Sequence, residues 1–142
     1  RLEQILQYEN LFNELGLSTY FHICADRAYM KYKKDVYKSV ISYKEYLELL
    51  KESRAILNIV REDQKSVTQR ELEAIFDNIK CITTNKSIRE FELYDPSRYF
   101  LLGYDDMNTL PQFLETEFKS VDESLLKEYR YKTVIQSVIG EV

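Results

Sequence analysis

Glycine and proline are scarce in this chain, with three Gly and two Pro in 142 residues. So little turn punctuation argues against a many-turned β-sandwich and for long helices joined by short connections. Gly16, Gly103 and Gly140 also lie too far apart to form a phosphate loop, a dinucleotide fingerprint or a nucleophile elbow, each of which needs glycine at fixed short spacing. Histidine is scarcer still. His22 is the only one, and it sits between Phe21 and Ile23. Zinc, di-iron and most catalytic sites need several convergent ligands. A haem would need a histidine from a helix in the latter half of a globin-like chain. His22 therefore reads as a structural histidine, no metal or cofactor is implied, and an enzyme is unsupported.

Cys24 and Cys81 are the only cysteines, lie far apart in apolar surroundings and form no CxxC pair. They read as buried, reduced thiols of a cytoplasmic protein. No apolar run is long enough to span a bilayer. A net charge of −4 gives the chain as a whole no pull toward nucleic acid or an anionic membrane. The first residue is Arg rather than Met, as expected of a processed product or of a domain from a longer chain.

What is present is a recurring helix-start signature. Ser42-Tyr43-Lys44-Glu45 and Thr68-Gln69-Arg70-Glu71 are capping boxes, in which the hydroxyl accepts from the amide three residues on and the glutamate reaches back. Helical stripes surround them. The first runs from Leu2 to Leu15, with Gly16 placed as its left-handed stop. A second starts at Ser18 or Thr19 and continues toward Tyr32 or Val36. The third runs from the Ser42 box to Arg61, and the fourth from the Thr68 box through Ile79. Cys81 to Thr84 is β-rich, and Ile88 to Tyr94 alternates in part, so residues 81–94 read as a small β-hairpin or as an irregular connection. Tyr99 to Leu102 is a short apolar run. A fifth helix opens at Thr109 with Pro111 in its first turn, and a last one follows Val121. The expected fold is mainly α, a single-domain bundle of about six helices over residues 1–142, with or without that small β-ribbon.

Two functions fit this reading. Arg27, Lys31, Lys33, Lys34 and Lys38 form a basic stretch, while the segment from Asn85 to Leu125 is acidic. Six of the twelve tyrosines cluster near the basic stretch. Tyrosine buries a ring while keeping its hydroxyl wet, and it is enriched in interface cores. The leading expectation is a non-catalytic regulatory or signalling domain that binds another protein, or a second copy of itself, through Arg27, Lys31, Tyr32, Lys34 and Tyr37. The alternative is a sensor domain, globin-like without haem or another bundle, enclosing a small apolar or lipid-like ligand among Phe21, His22, Tyr46, Phe76 and Phe100. Acidic pairs such as Glu71 with Glu73 and Glu115 with Glu117 do not share a helix face, and Asp105-Asp106 reads as turn chemistry.

Overall fold

The computed structural model describes residues 2–25 and 36–130. Their contacts form two units, one before and one after the Glu52–Ser53 bond.

In the first unit, α1 (Leu2–Glu14) buries Phe12. It ends as the sequence predicts. Gly16 adopts φ 73°, while the amides of Gly16 and Leu17 bond back to the carbonyls of Asn13 and Phe12 at 2.9 and 3.0 Å. This is the paired closure of a Schellman motif. Phe12 stacks on Tyr8 and meets Phe21 edge-on. The expected second helix is absent from Ser18 to Ala25, and its continuation over residues 26–35 lies outside the described residues. Ile23 forms a parallel bridge with Tyr37, and the Lys38 amide donates to the Ile23 carbonyl at 2.7 Å. The Ser42 capping box is complete and starts α2 (Tyr43–Lys51).

The second unit overturns the mainly α expectation. It holds a three-stranded parallel sheet of β1 (Ala55–Asn58), β2 (Lys80–Thr83) and β3 (Tyr99–Leu101), in the order β1-β2-β3. The expected third helix stops at Lys51 because Ala55-Ile56-Leu57-Asn58 pairs with Lys80-Cys81-Ile82-Thr83. Leu50, Leu57 and Val60 have helical spacing, but Ile56 to Val60 is also a near-continuous apolar run. Such runs are typical of strands covered on both faces. The expected hairpin is replaced as well. β2 is real but pairs in parallel with strands on either side, and the segment after it is a 3₁₀ turn, Lys86–Glu90. The apolar run at Tyr99 is β3.

Parallel neighbours need a crossover, and α3 (Gln69–Phe76) supplies the first. Its Thr68 capping box is complete, and it ends at Asn78 with φ 53°. All four residues of β2 are buried because both faces are covered. Thr83 and Tyr99 bond to Glu71 of α3, so odd-numbered positions of β2 and β3 face that helix. Lys80 and Phe100 meet Phe113 of α4 (Leu110–Glu115), so even-numbered positions face the opposite way. A short α5 (Glu123–Glu128) follows, capped by Asp122.

Candidate functional site

The carboxyl ends of β1 and β2 carry Asn58 and Thr83, which are register partners. Both are polar and buried, so each must find hydrogen-bond partners inside the protein. They find them in α3 and the adjoining loops. Asn58 Nδ2 donates to Thr68 Oγ1 at 2.9 Å and to Thr83 Oγ1 at 3.4 Å. The Thr83 hydroxyl donates to Glu71 Oε1 at 2.8 Å and accepts the Asn85 amide at 3.1 Å. Glu71 Oε2 accepts the Thr68 amide at 2.7 Å and Asn85 Nδ2 at 3.0 Å. Asn85 Nδ2 also reaches the Ser66 carbonyl at 3.1 Å. Glu71 is fully buried at the centre of this set.

The network fixes two loops at one edge of the sheet. Ile59 to Thr68, ten residues between Asn58 and Gln69, form the first. That is long for a βα connection, where two to six residues are usual. Its start is pinned by the Val60 amide donating to Thr84 Oγ1 at 3.0 Å, and its end by Asn85 and the Thr68 box. The second loop, Thr84 and Asn85, leads into the 3₁₀ turn, where Asn85 Oδ1 accepts the Ser87 amide at 3.2 Å. These segments present exposed cations on a rigid base, namely Arg61, Lys65, Arg70 and Lys86. Arg61 pairs with Asp63 at 3.3 Å, with both side chains largely in water, whereas Lys65 and Lys86 form no ion pair among the described residues. Arg70 reaches the Leu57 carbonyl at 3.5 Å. Beside β3, Asp105 accepts the Leu101 amide at 2.7 Å and pairs with Arg89 at 3.3 Å.

Burial also acts on two ionisable groups beneath the network. It pushes the Cys81 thiol and the Tyr99 phenol well above their ordinary values, and the nearby Glu71 adds to both shifts. Cys81 is thus an inert core thiol, as the sequence suggests. Cys24, also expected to be buried, is instead exposed. It lies in a non-helical segment rather than on a central helix. Among the described residues no group of His, Cys, Asp and Glu is arranged to hold a metal ion.

The residues singled out from the sequence are distributed differently. Phe21, His22 and Tyr46 belong to the first unit, and Phe76 and Phe100 to the second. His22 Nε2 bonds the Ser39 carbonyl at 2.7 Å, and Nδ1 meets the Tyr20 hydroxyl at 3.3 Å. A carbonyl only accepts, so Nε2 carries the proton. Tyr46 packs on Tyr43, Phe100 on Phe113, and Phe76 is exposed. Tyr37 is half-buried in its bridge to Ile23, while Arg27, Lys31, Tyr32 and Lys34 lie outside the described residues. The polar network was missed apart from its Thr68–Glu71 box. The available signal was the polar triplet Thr83-Thr84-Asn85 directly after a β-rich run. No family model matches this chain, and comparison with curated proteins and with solved structures finds no similar one.

Proposed function

We propose that the second unit is a non-catalytic binding module that takes a nucleotide or similar phosphorylated ligand at the carboxyl edge of its parallel sheet. The observation behind this reading is the long Ile59–Thr68 loop. It carries Arg61 and Lys65 above a buried network at the ends of β1 and β2. In open parallel α/β sheets, ligands bind outside the carboxyl ends of the strands, and a sequentially ordered three-stranded parallel sheet is the layout of a mononucleotide-binding half. The chain has no glycine in this loop, so side-chain cations and the Gln69 and Arg70 amides, which take no part in the capping box, would meet the phosphates. The test is a titration of the ¹⁵N-labelled protein with ADP. Saturable shifts are expected at Ser66 to Arg70 and at Lys86, weakened in a Lys65→Ala/Arg70→Ala double variant. An unmoved spectrum at about 1 mM ADP, the weak end of specific binding, would sink the reading.

A second reading concerns the first unit and keeps the expectation of a regulatory protein–protein contact. Val40 is 83% exposed, Tyr43 61% and Tyr20 59%, next to the cations Lys38 and Lys44. Lys38 lies over the Tyr20 ring at 4.3 Å, and exposed apolar side chains of this kind mark interaction surfaces. The partner we propose is a second copy of the chain. Sedimentation across a concentration series should show self-association that Val40→Ser with Tyr43→Ser removes; a monomer at every concentration refutes it. No helix among the described residues is long and apolar enough to cross a membrane. We assign the protein to the cytoplasm, a location supported by its two free thiols.

A further inference from the structure

The opposite edge of the same sheet carries buried positive charge. Lys80 opens β2 and is only 4% exposed. Lysine is almost never so buried without an acidic partner, because its charge loses the solvation of water. Here the ammonium bonds only neutral acceptors, the Phe113 carbonyl and, at 2.6 Å, Thr116 Oγ1. It also lies 4.4 Å from the centre of the Phe113 ring. An ammonium has three donors, so one of its hydrogens has no acceptor among the described residues.

Arg98 repeats the pattern one strand over. It directly precedes Tyr99, the register partner of Cys81, so it follows Lys80 across the sheet. It too is buried, and its guanidinium bonds two backbone carbonyls, those of Leu93 at 2.8 Å and Lys119 at 2.7 Å. Its Nε is buried with no hydrogen-bond partner among the described residues. Asp95, three residues before Arg98, bonds Ser97 and pairs with Lys119. Two buried cations therefore stand side by side at this edge, and among the described residues no carboxylate is hydrogen-bonded to either.

A shallow, open cavity of about 520 Å³ lies at the same edge, lined by Lys80 together with Arg54, Thr116, Glu115, Leu114 and Phe118. Arg54 is also tied to Lys80 directly, its carbonyl accepting the Lys80 amide at 3.2 Å. Two cations and one carboxylate leave the lining with a single net positive charge, which a singly charged anion would neutralise and a polyanion would overshoot. Leu114 and Phe118 offer apolar surface beside that charge. We propose that this cavity is a binding site for a small aliphatic monocarboxylate, held at its charged end by Lys80 and Arg54 and along its chain by Leu114 and Phe118. The site is independent of the nucleotide edge at the other end of the strands.

The probe is sodium hexanoate, titrated into the ¹⁵N-labelled 142-residue protein, with hexanamide and inorganic phosphate as controls. Hexanoate should shift the amides of Asn78, Lys80 and Thr116 in a saturable way. Hexanamide, which keeps the chain but lacks the charge, and phosphate should leave them unmoved. Lys80→Met would test the buried cation but also removes a core contact. Arg54→Ala is the cleaner variant, because Arg54 is exposed and its structural bond is made by the backbone. It should weaken hexanoate roughly tenfold, the usual scale of one charge-assisted contact, with the rest of the spectrum unchanged. Equal shifts from hexanamide, or unchanged affinity in Arg54→Ala, or no shift with hexanoate, would each overturn the proposal.

Discussion

Two capping boxes in this chain share the same pair of reciprocal bonds in opposite surroundings. In the first, Glu45 Oε2 accepts the Ser42 amide at 2.7 Å and Ser42 Oγ accepts the Glu45 amide at 3.2 Å, with both residues exposed. In the second, Glu71 Oε2 accepts the Thr68 amide at 2.7 Å and Thr68 Oγ1 accepts the Glu71 amide at 3.4 Å, with Glu71 fully buried. In water, a capping glutamate has alternatives, and losing it exposes donors to solvent. In the interior, it must satisfy both its oxygens, and every donor that points at it depends on it in turn. The same four-residue motif starts a helix in one place and ties a helix to the ends of two strands in the other.

The comparison breaks most sharply at Glu71. Glu71→Ala strands the Thr83 hydroxyl, the Asn85 amide group and the Thr68 N–H in a dry site, and should cost about 3 kcal/mol or more. Urea unfolding would show it as a lower midpoint at constant slope. Glu45→Ala in the wet box should move the midpoint far less, and equal effects would mean that burial adds nothing to the motif. Thr83→Val comes next. It keeps the shape of the side chain but removes one donor and one acceptor from the network, for about 2 kcal/mol.

Tyr99→Phe should cost less, about 1 kcal/mol, since it removes only the 3.1 Å bond to the Glu71 carbonyl. It also changes the alkaline limit. Burial raises the Tyr99 phenol above its ordinary value of 10.0. A phenol whose folded value lies above its unfolded one contributes stability below the unfolded value and loses it as pH rises. The wild-type protein should therefore lose stability above about pH 10 more steeply than Tyr99→Phe, as urea midpoints across that range would reveal.

How far the fold could be read from the residues depended on the range of the signal. Both capping boxes and the Gly16 stop rest on contacts within five residues, and each stands where the sequence places it. The sheet depends on partners far apart in the chain. Ala55 pairs with Lys80, and Cys81 with Tyr99. A strand buried on both faces loses the alternation that would identify it, so Ile56 to Val60 looked like a continuation of a helical stripe. No glycine or proline separates α2 from β1 to mark the change. The candidate site was hidden for the same reason. Asn58, Thr83 and Asn85 are ordinary polar residues until parallel pairing sets them around Glu71. Lys80, read alone, is a surface residue by type, and only the burial of β2 makes it unusual.

The smallest expected effect lies in the wet box and can be read residue by residue. The Ser42 amide, followed by the Ser42 hydroxyl and the charge of His22, holds the Glu45 carboxyl below its ordinary value. A carboxyl whose folded value is depressed adds stability above its unfolded value and loses it as pH falls through the folded one. Acidification should thus loosen the start of α2. In a carboxyl-detected NMR titration, Ser42→Ala should raise the Glu45 midpoint only part of the way to that of a free glutamate. The substitution deletes the hydroxyl and leaves the amide, which is the larger cause. A full return would make the hydroxyl the dominant partner, and no change would remove it from the account. Either result would redraw the box as a one-sided cap, and the contrast with Glu71 would then lie in its chemistry as well as its burial.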